Sequence, residues 1–413
     1  MRRWKKALIL AAAVLAAFTL QACLLDKLGG NFEHDPGLRK KSLSADALLL
    51  VRKAYEGTVP ERLVDCHVHI TGMNTEKTGC YVNDKMLTRL NLKENLRYRL
   101  FLSALGVDHP DDADRESLDR LVQLIRRDKL PGRFQILALD QRYGKDGIAD
   151  RENTQFYVPN DYVYKIYEKN PDIFIPVVSI HPYRKDAVAE LEKWAAKGVR
   201  TVKWIPNAQG IDPSDPDIVP FYLKMKELQM VLLTHGGHEN AVDSEEDQKL
   251  GNPLLLRLPL DLGVKVIVAH CASLGKNEDL DRPGKEMAYN FDLFLRLMDD
   301  KKYDGLVFGD ISALLQFNRL SRPLKRILER PDLHARLLNG SDYPLPAMNL
   351  IVMTSKLSRL KFITRKERKR LDEIYRFNPL LFDFVLKRTV KDPKTGRRLS
   401  PEIFQENARL AYE

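Results

Sequence analysis

The stretch Asp186-Ala187-Val188-Ala189-Glu190-Leu191-Glu192-Lys193-Trp194-Ala195-Ala196-Lys197-Gly198-Val199-Arg200-Thr201-Val202-Lys203-Trp204-Ile205 carries a helix and a strand in immediate succession. Val188, Leu191 and Ala195 recur at helical spacing, which puts an apolar stripe on one face of the first half. Gly198 ends that helix, because glycine enters the left-handed backbone region without a steric penalty. Val199 then opens a run rich in β-branched residues, the composition of a buried strand. The next stretch repeats the pattern: Phe221, Met225 and Leu228 supply the buried stripe of a helix over residues 220–229, and residues 231–235 follow as a strand. Strands that alternate with helices pair in parallel, since each crossover returns the chain to the same end of the sheet.

Eight strand candidates occur, at 63–70, 134–140, 174–180, 199–205, 231–235, 264–270, 305–311 and 336–340, with helical patterns between most of them. Eight such units predict an α/β fold closed into a (β/α)8 barrel, whose catalytic face is the rim at the carboxyl ends of the strands. Residues 71–129 and 141–171 exceed a bare barrel. Both leave strands at that rim, where long loops shape substrate pockets. Residues 365–413 read as a helical C-terminal extension, and the basic run Arg365 to Arg370 within it as a solvated face.

Polar groups end four of the apolar runs: Asp65-Cys66-His67-Val68-His69, Thr234-His235-Gly236, Ala269-His270-Cys271 and Gly340-Ser341-Asp342-Tyr343, with Lys203-Trp204-Ile205-Pro206 closing a fifth strand candidate. Period-two alternation puts the His67 and His69 imidazoles on one side of their strand, so they can grip one cation together. The other histidines and the aspartate arrive one per strand, as they must where a barrel rim gathers ligands from separate strands. Imidazoles with a carboxylate suit Zn2+ or a similar divalent ion, with a position left for water. Arg142, His181 and Arg184 follow the second and third strands at the same rim. Each is able to bind an acidic group, arginine through its bidentate fork, and His181, nearest its strand end, reads as a pocket residue. His238, one turn past the fifth strand, reads equally as pocket lining or surface, and Asp310 at the end of the seventh as structural.

Arg2, Arg3, Lys5 and Lys6 precede an apolar stretch over residues 7–20 that is too short to span a bilayer and reads as a secretory signal. It ends in Leu20-Gln21-Ala22-Cys23, similar to a bacterial lipobox in which the cysteine becomes a lipidated N-terminus. The expected organisation is a signal peptide at 1–22, a lipidated Cys23 with a tether to residue 46, and a barrel over 47–413, anchored in a bacterial envelope and facing away from the cytoplasm. Of the formal charge of +10 the signal carries four, leaving +6 on the mature chain. That balance fits anionic small substrates, and the concentrated basic stripe of a nucleic-acid binder is lacking. Cys66, Cys80 and Cys271 remain, an odd number that does not suggest a disulfide framework. Cys66 and Cys271 read as small buried hydrophobes beside the histidines.

At the polar segments the chain resembles the amidohydrolase superfamily, and residues 198–215 followed by the His235 strand are most similar to its amidohydrolase-related branch, which holds hydrolases and non-oxidative decarboxylases. The resemblance implies that His67, His69, His235 and Asp342 bind a divalent metal, Zn2+ by ligand type, and that Asp342 also takes a proton from the bound water. Where one metal binds, it implies that His270 polarises the substrate or moves a proton; where two bind, His270 is itself a ligand. Lys203 divides these cases. As a carbamate it bridges two ions, as in dihydroorotase-like enzymes; as an ammonium it pairs with a substrate carboxylate or with a structural partner. The run Lys203-Trp204-Ile205-Pro206-Asn207-Ala208-Gln209-Gly210 resembles the single-metal branch more closely. The implied activity is hydrolysis of a C–N or C–O bond in an amide, lactone or ester through metal-bound hydroxide. Decarboxylation of an aromatic or unsaturated acid would use the same residues, and a non-catalytic binding lipoprotein would show a degraded set. The expected partners are a small-molecule substrate and a membrane, with self-association open.

Overall fold

The computed structural model describes residues 34–88, 90–240, 245–348 and 350–411. Eight parallel strands run through it: β1 (Val64–His69), β2 (Arg133–Leu137), β3 (Phe174–Val177), β4 (Thr201–Trp204), β5 (Val231–His235), β6 (Val266–Ala269), β7 (Val307–Asp310) and β8 (Leu337–Leu338). Strands β1 to β3 pair in chain order, and β4 to β8 pair in theirs. Two seams close the ring. At one, the Lys203 N–H donates to the Val178 carbonyl at 2.7 Å. At the other, the Cys66 N–H donates to the Asn339 carbonyl at 2.9 Å and the Asp342 N–H to the His67 carbonyl at 2.8 Å. The molecule is the expected (β/α)8 barrel.

Inside the barrel, Cys66, Leu137, Val177, Leu233, Ile267 and Phe308 form an apolar plug. The plug leaves the polar residues stacked above it at the carboxyl ends of the strands. Outside, the crossover helices bury their apolar stripes against the strands. The helix Ala187–Ala196 does so with Leu191, Trp194 and Ala195, so Trp194 fills the place expected for Val188, which is only half-buried. Gly198 follows with φ +85°, the left-handed stop that its sequence position predicts. The helix Val219–Glu227 buries Phe221, Tyr222 and Met225.

The two long insertions are stitched together. Tyr81–Val82 of the first pairs antiparallel with Phe156–Tyr157 of the second, and the helix Leu92–Leu105 sets Phe101 edge-on to Phe156 with ring centroids 6.2 Å apart. At the other end of the chain, helices Arg365–Tyr375 and Pro379–Thr389 pack on each other and on the helix Ala45–Tyr55. Arg365, Lys366, Arg368 and Lys369 are exposed.

Cys23 and the signal peptide lie outside the described residues. The expected tether does not extend to residue 46: residues 36–42 form helical turns, Arg39 is buried in an ion pair with Asp128, and Leu43 joins the main core. An arginine in a basic run looks solvated in sequence, but here it meets a buried carboxylate 89 residues away. Cys66, Cys80 and Cys271 are free and buried.

Candidate active site

β1 presents its histidines through an irregularity. Asp65 lies opposite Phe134 and Val68 opposite Ile136, so Cys66 and His67 together face one residue of β2, which makes a bulge. From it, His67 and then His69 turn into the barrel mouth while Val68 packs outward. The end of β8 comes very close: a Cβ at Gly340 would stand 2.6 Å from the His67 Cβ, so only glycine admits this approach. Asp342, just beyond, has φ 59°, an uncommon conformation for a residue with a side chain, and its N–H bond to the His67 carbonyl pins it there.

Three donor atoms converge. The Nε2 atoms of His67 and His69 are 3.2 Å apart, and Asp342 Oδ1 is 3.6 Å from the first and 3.3 Å from the second. Tetrahedral coordination with bonds of about 2.0–2.1 Å would separate its donors by about 3.3–3.4 Å, so the spacing fits one small divalent ion. The chemistry fits as well. His67 Nδ1 is bonded to Asp310 Oδ2 at 2.8 Å, which leaves the lone pair of Nε2 to the cavity, the carboxylate–histidine pairing common beneath metal ligands. Burial, with the Lys203 ammonium nearby, brings the His67 imidazole down to about 4, so it stands in the neutral form that binds metal.

Asp310, expected to be structural, touches two site histidines. Beyond His67, its Oδ1 accepts the His270 N–H and the Ser312 N–H, each at 2.9 Å. Burial opposes its charge, yet His67 and His270 hold the carboxyl well below the usual range. His270 Nδ1 bonds Ser312 Oγ at 2.6 Å, and its Nε2 faces Asp342 Oδ2 at 4.0 Å. Burial also pushes the His270 imidazole well down. His270, Cys271 and Ala272 all have positive φ, at 57°, 51° and 47°, and backbone strain of this kind persists where the surroundings over-determine it. For Asp342, burial again works against ionisation, but His270, His69 and His67 keep its carboxyl well below the usual range.

Lys203 is fully buried, with Nζ 3.4 Å from His67 Nε2, and burial lowers its ammonium against the pull of Asp310 and Asp342. His235 lines the same cavity but stands outside the three-donor cluster. Its Nε2 lies 3.3 Å from the His238 carbonyl and its Nδ1 3.3 Å from Glu239 Oε2, because a buried imidazole takes polar partners for both nitrogens.

Two expected pocket residues lie elsewhere. His181 is buried between strand ends, bonded to the Gln209 carbonyl at 3.0 Å, and Arg142 pairs with Asp247 at 2.7 Å. Neither lines the cavity. Arg184 is likewise held by Asp140 and Asp186. Arg184 is thus satisfied within the loops that leave β2 and β3, whereas Arg142 meets a carboxylate on the loop after β5. His238 bonds the Lys276 carbonyl at 2.8 Å and packs on Gly275, away from the site.

The cavity above the cluster measures about 450 Å³. Its floor is polar, and its walls are apolar: Leu100, Phe101 and Phe156 from the insertions face Phe317, Met348 and Ile351. Arg319 and Glu239, which the sequence reading passed over, also line it. A parallel barrel with histidines and an aspartate gathered at its carboxyl rim defines a TIM-barrel enzyme scaffold of the metal-dependent kind. The family model described as Amidohydrolase matches residues 64–350, and the chain belongs to that family, whose members are metal-dependent enzymes.

No curated protein matches the chain. Among solved structures, it is similar to an uncharacterised TIM-barrel protein from Bordetella bronchiseptica, with 17% identity over 72% of this chain and 98% of that one and a TM-score of 0.44. A probable 2-pyrone-4,6-dicarboxylic acid hydrolase from Acinetobacter baumannii gives 12% identity over 76% and 100%, TM-score 0.44. The 5-carboxyvanillate decarboxylase of Sphingomonas paucimobilis gives 10% over 80% and 97%, TM-score 0.40.

Proposed function

We propose that the protein is a metal-dependent hydrolase that cleaves a C–N or C–O bond in an amide, lactone or ester. The observation that carries this reading is the convergence of His67 Nε2, His69 Nε2 and Asp342 Oδ1 within 3.2–3.6 Å at the floor of a cavity. These three residues would hold the ion, with His235 assigned beside them from its strand-end position in the same cavity. Bound there, a divalent ion such as Zn2+ supplies Lewis acidity and makes water a nucleophile near neutral pH. Asp342 has one oxygen toward the histidine pair and the other toward His270, so it can take a proton from water and return it to the leaving nitrogen or oxygen. His270, oriented by Ser312 and Asp310, stands ready to polarise the substrate or share that proton. Lys203 offers its amine to a substrate oxygen at the cavity floor.

A single ion is the favoured state. Among the described residues, the second group of possible ligands, His67, His270 and Asp310, reuses His67, whose Nδ1 is already committed to Asp310. A second reading, decarboxylation of an aromatic acid, draws on the same residues and is favoured by the aromatic walls, Phe101 and Phe156. On sequence alone, we also propose lipidation at Cys23 and a place in the bacterial envelope.

The deciding experiment is elemental analysis of the purified chain and of a His67→Ala/His69→Ala variant, with a screen of amides, lactones and aromatic acids. The wild type should carry about one divalent ion per chain and the variant none, with turnover lost. Full metal and activity in the variant would overturn the site. Release of carbon dioxide without incorporation of water would select decarboxylation.

A further inference from the structure

The barrel has a second mouth. At the amino ends of the strands, opposite the catalytic rim, a cavity of about 600 Å³ reaches up to the plug at Cys66 and Ile267, with residues 405–408 as one wall. Charge is gathered around it unevenly. Arg62 precedes β1, Arg133 opens β2 and Arg200 precedes β4, so parallel pairing brings guanidinium groups from distant parts of the chain to one rim. Glu406 is the single carboxylate residue in the lining. Several other surface arginines meet acids: Arg126 bonds Asp172 at 2.8 Å, and Arg330 bonds Asp299 and Asp332, each at 2.6 Å. At this rim Arg62 and Arg200 reach backbone carbonyls instead, of Glu406 and of Ala195 and Val199, and among the described residues no carboxylate forms an ion pair with Arg62, Arg133 or Arg200. All three are exposed, so their remaining N–H groups are open to an outside partner.

A group with several charged oxygens, a phosphate above all, takes N–H bonds from more than one guanidinium at once. Where the chain enters the barrel says where such groups are met. Asp35 pairs with Arg127 at 2.7 Å, six residues before β2. The helix Ala113–Arg126 has by then returned to the amino end, so the described chain enters at the end that carries the arginines. Cys23 lies eleven residues before His34, a span of about 40 Å at most even when fully extended. A lipid on Cys23 would therefore hold the amino end toward the bilayer and leave the catalytic mouth turned to the water. We propose that this face docks on the membrane, its arginine rim taking the phosphate groups of anionic lipids. Basic residues at a surface draw a protein to anionic headgroups, and beside a lipid anchor they also fix its orientation. The direction of approach rests on the Cys23 anchor proposed above; the affinity of the rim for anionic lipid does not.

The test is sedimentation of the full chain with vesicles of phosphatidylcholine alone and of phosphatidylcholine mixed with an equal part of phosphatidylglycerol. Any anchor acts alike on both, so the preference for the anionic vesicles reads the protein surface. The wild type should prefer them at least about tenfold at low salt and lose the preference as salt rises. Arg62→Gln/Arg133→Gln/Arg200→Gln should remove most of it, whereas Lys85→Gln/Lys93→Gln/Arg99→Gln, which takes as much charge from the insertion at the catalytic rim, should keep it. An undiminished preference in the first variant would overturn the proposal, as would equal losses in the two, which would reduce the effect to net charge. No preference in the wild type would overturn it with no variant needing to fold. Arginine-dependent binding of glycerol phosphate in solution, without any preference between vesicles, would give the rim to a soluble anion and overturn the membrane assignment. An intact preference with no lipid on Cys23 would count against the anchor alone.

Discussion

A single carboxylate, Asp310, holds the two histidines that define the chemistry. Accepting from His67 Nδ1 and from the His270 backbone, it selects the tautomer of one ring and the position of the other. Asp310→Asn keeps the shape and removes the charge. Metal affinity should fall about 10–100-fold, the usual effect of removing such a partner, and chelator competition would read it; an unchanged affinity would refute the positioning role. Lys203 gives the complementary case. Its amine lies beside the ligands without belonging to the three-donor cluster, so Lys203→Ala should leave metal stoichiometry near one and cut turnover. Loss of a second ion in that variant would instead establish a carbamate bridge. The misplacement of His181 and Arg142 has the same origin as the missed Arg319. A charged residue near the rim looks identical in sequence whether its partner is a neighbouring loop or a ligand, and the pairs Arg142–Asp247 and His181–Gln209 join positions that only folding brings together.

At the scale of elements, the crossover helix Ala187–Ala196 is where the barrel is most legible, and it buries Leu191, Trp194 and Ala195. Trp194 is fully buried against the strands, with Nε1 donating to Glu190 Oε2 at 2.9 Å. Trp194→Ala should cost about 3–5 kcal/mol, seen as a fall in the urea midpoint with an unaltered slope. A loss under about 1 kcal/mol would mean that the helix collapses into the cavity left behind. The approach of β8 to β1 is a second such contact. Gly340→Ala would force its methyl onto His67, so metal binding should weaken along with thermal stability, typically by about 1–3 kcal/mol for overpacking. A variant that lost stability but bound metal as tightly as the wild type would show that the backbone gives way without moving the ligand.

Across the whole molecule, the N-terminal sequence proposes an attachment. If Cys23 is lipidated, Cys23→Ala should move the protein from the membrane fraction to the soluble one; unchanged partition, with no lipid on the wild type, would remove the anchor. By itself the sequence determined the alternation of strand and helix, the number of strands and the strand ends that carry His67, His69, His235, His270 and Asp342. All of these follow from local periodicity and from turn residues such as Gly198, which act within a few positions of the chain. The tertiary structure decided what depends on distance. It placed Asp310 beneath two histidines and folded residues 36–46 onto the barrel, where Arg39 finds Asp128. It drew His235 toward Glu239, and it buried Arg319 at the cavity wall, bonded to Ser273. Burial sets the charge state and the partner of each of these groups, and burial is a property of residues far apart in the chain.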